Sequence, residues 1–208
     1  MIIAVLGTGN VGSALGKRWA ANGHTILFGS RDPQSEKVSL LLQAAGPLAS
    51  AHSPAEAASR AAVILLATPF HSAQEYLAHL NVNGKILIDA TNPLGEGMKL
   101  MVWPDSSAAE QIAGWAVGAR VVKAFNCTGS GNMTNPDYGG AKPAMLFCGD
   151  DPDAKTVVSQ LAAETGFEPV DSGPLSSAQL LEALAGLWVS LAYRQGLGPN
   201  QAFALLRR

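Results

Sequence analysis

An apolar segment, Met1 to Leu6, runs directly into a glycine-rich turn, and this junction constrains the fold more than any other feature of the chain. The turn reads Gly7-Thr8-Gly9-Asn10-Val11-Gly12. Gly7 permits the tight turn out of the strand, Gly9 lets the backbone approach a pyrophosphate, and Gly12 lets the next helix pack closely on the sheet. Free N–H groups at the start of that helix attract an anion. The spacing predicts a dinucleotide site; without its context, an ordinary glycine-rich turn would be the alternative.

The residues that follow supply the context that this motif requires. A helix is predicted over Ser13 to Ala21 and an apolar strand over Thr25 to Gly29. At the end of this second strand an NAD-binding protein usually carries an acid for the ribose 2′-hydroxyl, whereas this chain carries Ser30-Arg31. The guanidinium of Arg31 suits a 2′-phosphate, and the serine hydroxyl can donate beside it. We therefore predict NADP(H) as the cofactor. A solvated surface charge is the alternative for Arg31, and Asp32 would favour NAD(H) if the strand ended later.

Composition and charge narrow the class of protein. The chain has 208 residues, of which 48% are hydrophobic and 14% charged, so it can bury a substantial core. The net charge of −2 comes without any Lys/Arg-rich run, which predicts neither a nucleic-acid nor a membrane partner. Because the glycine turn needs the strand that Met1 begins, we expect no cleavable signal peptide and a cytoplasmic protein. Cys127 and Cys148 lack metal-ligand spacing, so we expect buried, unpaired thiols and no metal site.

Short apolar runs alternate with helical patterns along the rest of the chain. Strands are predicted near residues 47–51, 62–68, 86–90, 121–125 and 144–148. Helices are predicted over 36–45 and after three N-cap signals that begin at Ser53, Ser107 and Asp151. This alternation is typical of a doubly wound, mostly parallel α/β sheet of the Rossmann type.

Ligands of such sheets bind beyond the carboxyl ends of the strands, so the residues there are the candidates for a site. Besides the glycine turn and Ser30-Arg31, these residues are Thr68-Pro69-Phe70-His71, Thr91-Asn92-Pro93 and Asn126-Cys127-Thr128-Gly129. The amide of Asn92 could orient a nicotinamide carboxamide, whereas Thr68-Pro69 could simply end a strand. His71 is either a proton donor or a surface residue. The other histidines are expected to be solvated.

Lys123 is unusual because it lies inside a predicted strand. A charged side chain is rarely placed there unless it faces a cleft or extends from the edge of the sheet into solvent. We leave these two interpretations open.

After Pro174 the chain changes character. A helix from about Leu180 to Tyr193 has apolar residues around nearly its whole circumference, and a final helix is predicted over Gln201 to Arg207. The first of these helices is too short to span a bilayer, so it is either a core helix or a subunit interface. We predict a Rossmann domain over residues 1–174, a small C-terminal helical hairpin over 175–208, and a symmetric homodimer formed through the hairpin.

Together, several motifs resemble one family, the NADP oxidoreductase, coenzyme F-420-dependent family, over almost the whole length. The motifs are the glycine turn, Gly29-Ser30-Arg31-Asp32, Asp89-Ala90-Thr91-Asn92-Pro93, Ser106-Ser107-Ala108-Ala109-Glu110-Gln111, Lys123-Ala124-Phe125-Asn126 and Gly198-Pro199-Asn200-Gln201-Ala202-Phe203. The nucleotide domain of STEAP-type ferric reductases is a close relative of this family. The resemblance implies that the glycine loop binds pyrophosphate, and that Ser30 and Arg31 bind the 2′-phosphate. It also implies that Thr68, Pro69 and Asn92 line the nicotinamide and that Ala124 to Asn126 form the cleft floor, with Phe70 and Pro93 beside them.

The resemblance further implies hydride transfer between NADP(H) and a small-molecule acceptor, a flavin or F-420, in a pocket that the C-terminal part completes. Ring-to-ring transfer needs alignment and exclusion of water rather than a catalytic side chain, so none is predicted. We expect Phe70, Phe125, Met133 and Leu187 to line the pocket. The segment Gly95 to Trp103 is either its cover or an ordinary surface loop. Two alternatives are an imine or ketone reductase of the pyrroline-carboxylate reductase or β-hydroxyacid dehydrogenase type, and a non-catalytic NADP(H) sensor.

Overall fold

The computed structural model describes residues 1–102 and 104–208, and these residues form one eight-stranded sheet with helices on both faces. The strands lie in the order β3-β2-β1-β4-β5-β6-β7-β8, and every neighbouring pair is parallel except β6 and β7, which are antiparallel. The strands are β1 (Ile2–Leu6), β2 (Thr25–Gly29), β3 (Ala49–His52), β4 (Val63–Leu66), β5 (Ile86–Asp89), β6 (Arg120–Lys123), β7 (Ala144–Gly149) and β8 (Glu168–Asp171). The doubly wound, mostly parallel fold predicted from the sequence is confirmed.

Alternation along the strands divides the core between the two faces. In β1, Ile3 and Val5 pack into one hydrophobic cluster, whereas Ala4 and Leu6 pack into the other. Helices α1 (Asn10–Ala21), α2 (Glu36–Ala45), α6 (Ser130–Thr134) and α7 (Pro152–Glu164) cover the first cluster. Helices α3 (Pro54–Arg60), α4 (Ala73–Ala78), α5 (Ala108–Trp115) and α8 (Ala178–Val189) cover the second. Both faces of the sheet are therefore buried, which explains the continuous apolar runs of the central strands.

Helix starts follow the N-cap signals read from the sequence. Ser53 accepts a hydrogen bond from the backbone of Glu56, Asp151 accepts one from Ala154, and Ser107 forms a complete capping box with Glu110. Strand β2 has the predicted bounds, and each end of the other predicted strands lies within two residues of its expected position. Three short elements, α4, α6 and β8, were not predicted, because each has at most six residues and its pattern is too brief to stand out.

The C-terminal segment differs from its prediction. The expected final helix over Gln201 to Arg207 is wrong, because no helix is present in the described residues 195–208. Instead the backbone carbonyl of Gln201 accepts hydrogen bonds from Trp188 Nε1 at 2.8 Å and Asn132 Nδ2 at 2.7 Å, and the Phe203 carbonyl accepts one from the Ala144 N–H at 2.8 Å. These tertiary bonds use carbonyl groups that a helix would need internally.

Helix α8 belongs to a longer helical run, Leu175–Arg194, and this run of 20 residues is long and apolar enough to cross a membrane by length and composition. The expectation that it is too short was therefore wrong. Leu181, Ala185 and Trp188 of this run are buried, and Leu181 joins the second core cluster, whereas Leu180 is 67% and Leu187 50% exposed. The fold thus covers one face of α8 and leaves the other open, so of the two interpretations the fully buried core helix is wrong.

Two histidines expected in solvent are instead bonded. His24 is buried, with Nδ1 3.0 Å from the Met1 amino group and Nε2 2.7 Å from Glu164 Oε2. His52 lies 2.8 Å from Glu56 Oε1. The carboxylate partner of His24 lies on α7, 140 residues away, whereas the partner of His52 follows it by only four residues.

Candidate functional site

The glycine turn after β1 has the close contacts that the motif predicts. Gly7 has φ +115°, and a Cβ there would lie 2.5 Å from the carbonyl oxygen of Ala67. A Cβ on Gly12 would collide with the carbonyl oxygen of Gly7. On Gly9, by contrast, a Cβ would meet nothing within 4 Å. Gly7 and Gly12 therefore bring chain segments together, whereas Gly9 faces open space through which a ligand can reach the backbone.

The N-terminus of α1 opens at this turn. Gly9 is its N-cap, no side chain caps the helix, and its first turn contains no acidic residue. The hydroxyl of Ser13 donates to the Thr8 carbonyl at 3.3 Å and holds the turn against the helix. Asn10 is exposed and Val11 packs against the core. The first N–H groups of α1 are thus free of side-chain acceptors and face an approachable surface, which suits an anion.

Ser30 and Arg31 follow the last residue of β2, as predicted. The hydroxyl of Ser30 donates to the Asp32 carbonyl at 3.0 Å and accepts from the Asp32 N–H at 3.2 Å, so it shapes a local turn. Arg31 is exposed and forms no ion pair with any described residue. Burial raises the pKa of Tyr76 in α4, while the positive charge of Arg31 acts in the opposite direction, so the guanidinium lies near that helix. Arg31 is therefore available to an outside anion.

A groove beside the glycine turn carries two lysines and one glutamate. It has a volume of about 580 Å³, lies between α1 and α2, and is lined by Lys17, Glu36 and Lys37 as its charged residues. These lysines were missed in the sequence. The signal for Lys17 is its position four residues after Ser13, which puts both side chains on the face of α1 that borders the groove.

The chain beyond β4 carries Thr68, Pro69 and Phe70 to the same edge of the sheet. The hydroxyl of Thr68 is buried without a hydrogen-bond partner among the described residues, and so is that of Thr91, which follows β5 at the same level. Pro69 is exposed. The ring of Phe70 stacks on Trp115 with centroids 5.7 Å apart, so α5 holds it in place. Two unpaired hydroxyls at one edge are a reason to expect a polar ligand there.

Asn92 and Asn126 pair across the ends of β5 and β6. Asn92 Nδ2 donates to the Asn126 carbonyl at 2.9 Å, and Asn126 Nδ2 donates to Asn92 Oδ1 at 3.1 Å and to the Leu181 carbonyl at 3.1 Å. Asn126 is buried, whereas Asn92 remains partly exposed. Pro93 is also buried. The pair fixes the amide plane of Asn92 at the cleft.

Part of the expected ligand pocket is wrong. Phe125 and Met133 are buried at 1% and 0% exposure in the core cluster beneath α1, with Ala124 at 0%. Phe125 has φ +60° and turns its ring onto Trp19, with centroids 5.6 Å apart. Only the backbone of this segment is thus positioned to form a cleft floor. Leu187 is half-exposed on the outer face of α8.

Lys123 neither faces the cleft nor extends to solvent, so both of its interpretations are wrong. Its side chain is fully buried, with Nζ 2.9 Å from Asp89 Oδ2 and 3.0 Å from Glu182 Oε1. Burial alone would lower the pKa of Lys123, but the two carboxylates outweigh it and raise that pKa above the ordinary value. Glu182 lies far along the chain on α8, so no pattern near Lys123 indicates the partner.

Other candidate groups are not arranged for catalysis. Cys127 and Cys148 are buried and unpaired, as predicted, and burial raises the pKa of each thiol to about 12, so neither is a reactive thiolate. In residues 1–102 and 104–208, no cluster of His, Cys, Asp and Glu could hold a metal. His71 is exposed.

The segment Gly95 to Trp103 was expected to be either a cover for the pocket or an ordinary surface loop. Its last residue, Trp103, lies outside the described residues. Within the segment, the Gly97 carbonyl accepts a hydrogen bond from Arg194.

Known proteins resemble this chain over most of its length. Residues 2–93 match the family described as NADP oxidoreductase, coenzyme F420-dependent. The F420-dependent NADP reductase of Methanothermobacter marburgensis is 31% identical over 207 residues, which cover 92% of each chain. The crystal structure of a candidate F420-dependent NADP reductase from Arthrobacter sp. has a TM-score of 0.89 and 31% identity, with full coverage of both chains.

Other similarities cover less of the compared protein. Metalloreductase STEAP3 of Rattus norvegicus is 33% identical over 187 residues, which are 88% of this chain but 36% of that protein's length. An imine reductase from Bacillus cereus has a TM-score of 0.64 at 16% identity, over 94% of this chain and 62% of that one. At this identity the similarity is one of fold alone.

Proposed function

Because this chain belongs to the family of F420-dependent NADP reductases and is an NADP-dependent oxidoreductase, we propose that it transfers hydride directly between NADP(H) and a flavin or deazaflavin-like acceptor. The observation that carries the proposal is the open carboxyl edge of the sheet. There the uncapped α1 N-terminus, Arg31, which pairs with no described residue, and the fixed amide of Asn92 follow the carboxyl ends of β1, β2 and β5.

The residues of this edge fit the dinucleotide. The open space at Gly9 and the free N–H groups of α1 suit the pyrophosphate, since a helix N-terminus attracts anions. Arg31, with Ser30 beside it, suits the 2′-phosphate, because a guanidinium offers a planar pair of donors to phosphate oxygens. Asn92, Pro93, Thr68 and the backbone of 124–126 would line the nicotinamide. Bound there, NADPH would supply a hydride from its nicotinamide ring.

The protein's own contribution to such a reaction is positioning. Direct transfer requires the two rings to lie face to face at close distance with water excluded, and it requires no proton-transferring side chain at the reacting carbon. The cleft residues are held in fixed positions, since Asn126 orients Asn92 and Trp115 packs against Phe70.

The names of the relatives favour F420 as the hydride acceptor, since two Methanothermobacter proteins, each 31% identical, are F420-dependent NADP reductases. We therefore propose F420 first, with FMN, FAD or riboflavin as the other acceptors of the same ring type. NADPH labelled with deuterium at both C4 positions tests this directly, because the label is then transferred whichever face the enzyme uses. The expected result is oxidation of NADPH at 340 nm and retention of the label at the carbon of reduced F420, which does not exchange with water.

One variant with its control tests the glycine turn, and the pattern of turnover separates the rival functions. A Gly9→Val variant, whose side chain fills the open space at the turn, should abolish turnover, whereas Arg207→Ala at the exposed C-terminal tail should not change it. Turnover only with imines or ketones would replace the proposal by an imine or ketone reductase. Tight NADPH binding without turnover by any acceptor would instead identify a sensor.

We also propose a homodimer formed through the outer face of α8. Leu180 and Leu187 are 67% and 50% exposed, and Leu184, which is partly buried against the core, lies between them along α8; Tyr193, in the helical turn that follows α8, is 59% exposed. An apolar stripe of this kind favours a subunit contact over an aqueous surface. Light scattering at micromolar concentration should give the mass of two chains, and Leu180→Glu/Leu187→Glu should give one. A wild-type monomer would remove the proposal.

We also propose that the protein is cytoplasmic. Fractionation of native cells tests this localisation.

A further inference from the structure

A buried cluster of three charged residues lies directly beneath the cleft. Asp89 ends β5, Lys123 ends β6 as its register partner, and Glu182 is on α8. None of the three side chains is more than 1% exposed. The cluster joins the sheet to the C-terminal segment, and nothing in a hydride-transfer reaction requires a charge at this depth. Burying these charges would be costly unless every one is paired, so their arrangement calls for a role.

Every polar atom of the cluster has a partner. Lys123 Nζ donates hydrogen bonds to Asp89 Oδ2 at 2.9 Å and to the Thr91 carbonyl at 2.6 Å, and it forms an ion pair with Glu182 Oε1 at 3.0 Å. The carboxylate of Glu182 also accepts the N–H groups of Ala108 and Ala109 at 3.0 and 3.2 Å. Those groups form the N-terminus of α5, which carries about half a positive charge and offsets the excess negative charge of the cluster.

The cluster holds the backbone of the cleft at one residue. Thr91 has its N–H bonded to Asp89 Oδ1 at 2.8 Å and its carbonyl bonded to Lys123. The Thr91 carbonyl belongs to the same planar peptide unit as the nitrogen of Asn92. Lys123 therefore sets the plane from which the Asn92 side chain extends into the cleft.

Helix α8 controls both members of the asparagine pair. The carbonyl of Leu181 accepts a hydrogen bond from Asn126 Nδ2 at 3.1 Å. The next residue, Glu182, reaches Asn92 through Lys123 and the Thr91 carbonyl. A displacement of α8 by a fraction of a hydrogen-bond length would thus move the side-chain amides of both Asn92 and Asn126 at the nicotinamide end of the cleft.

We propose that Glu182 is a positioning residue, which acts through Lys123 and Thr91 to hold Asn92 in the geometry that binds the nicotinamide half of NADP(H). The proposal rests on the proposed placement of the nicotinamide beside Asn92. The adenosine half lies at the ends of β1 and β2 in that placement, away from the cluster. Loss of Glu182 should therefore weaken only ligands that contain the nicotinamide.

Calorimetric binding of two ligands, NADP⁺ and adenosine 2′,5′-bisphosphate, measures this difference without any electron acceptor. Glu182→Gln keeps the side-chain volume but removes the charge that orients Lys123. We expect NADP⁺ to bind about three- to tenfold more weakly, the effect of one well-placed hydrogen bond, with the bisphosphate unchanged. Glu164→Gln is the matched control, since its carboxylate also pairs with a buried residue, His24, but far from the cleft. It should change neither affinity.

Asn92→Ala separates this proposal from the placement that it assumes. If Asn92→Ala weakens NADP⁺ but Glu182→Gln does not, the placement stands and the positioning role is overturned. If neither variant weakens NADP⁺, the placement fails together with the positioning role. Equal weakening of both ligands by Glu182→Gln would indicate a general loss of structure and would also overturn the proposal. Should Glu182→Gln fail to fold, Glu182→Asp serves instead, because it keeps the buried charge and shortens its reach.

Discussion

The side-chain amide of Asn126 donates to Asn92 Oδ1 at 3.1 Å and to the Leu181 carbonyl at 3.1 Å, while Asn92 returns a hydrogen bond to the Asn126 carbonyl at 2.9 Å. One buried side chain thus ties together the ends of β5 and β6 and helix α8. The amide at the cleft surface owes its orientation to a residue that solvent barely reaches. A change at Asn126 should therefore affect both the stability of the fold and the orientation of the Asn92 amide.

Asn126→Ala should lower the free energy of unfolding by about 1–3 kcal/mol, because it removes one donor each from the Leu181 carbonyl and from Asn92 Oδ1. Urea unfolding followed by circular dichroism measures the change. Asn22→Ala is the control, since Asn22 also donates two backbone-directed hydrogen bonds but from an exposed helix end, where water replaces them. Equal losses for the two variants would contradict the coupling.

Arg31→Ala should weaken NADPH binding by about ten- to a hundredfold and leave NADH binding nearly unchanged, because a charged hydrogen bond to the 2′-phosphate contributes about 1.5–3 kcal/mol. Fluorescence titration of both cofactors measures the ratio. Arg207→Ala, an exposed arginine in a distant ion pair with Glu168, should alter neither affinity. Equal losses for NADPH and NADH would refute the phosphate role of Arg31.

An added methyl group should have different effects at two glycines of the same turn: at Gly12 it should lower the stability of the fold, and at Gly9 it should weaken NADP⁺ binding. Gly12→Ala should lower stability by about 1–3 kcal/mol without ligand, because its Cβ meets the backbone carbonyl of Gly7, which cannot move aside. Gly9→Ala should leave stability unchanged, since Gly9 has φ −80° and its Cβ would enter open space, but should weaken NADP⁺ about tenfold. Thermal melts with and without NADP⁺ measure both effects. A destabilised Gly9→Ala protein would mean that the space beside the turn is not open.

The buried thiols should make the fold sensitive to alkaline pH. Burial raises the pKa of Cys127 and Cys148 from 9.0 to about 12, so their contribution to stability is complete below pH 9 and is lost as the pH rises towards 12. Each thiol should contribute a slope of about 1.4 kcal/mol per pH unit in that window. Urea midpoints between pH 8 and 11 should fall less steeply for Cys127→Ala/Cys148→Ala than for the wild type, and for Cys148→Ala the slope should be intermediate. Since Lys123 is retained in all three proteins, its own titration cancels from the comparison. Identical slopes would show that the thiols do not titrate with unfolding.

Local patterns predicted the parts of the protein whose determinants are close in sequence. The N-cap at Ser107 depends on Glu110 three residues later, and the capping box forms as expected. The prediction of a final helix over Gln201 to Arg207 was wrong because the determinants of this segment are distant in sequence. Its carbonyl groups bind Trp188, Asn132 and Ala144, and residues so distant leave no trace in the local pattern.

The geometry at the proposed dinucleotide end of the site could be predicted from the first thirty-one residues, because the turn at Gly7, the open position at Gly9 and the strand end before Arg31 follow from one strand–helix–strand unit. Only the tertiary structure decided the other half. A lysine inside a strand is stable only if its charge is paired, and the partners of Lys123 are supplied by β5 and by α8, 34 and 59 residues away in the sequence. Long-range pairing of this kind depends on how the chain packs, and it fixes the position of Asn92 at the cleft.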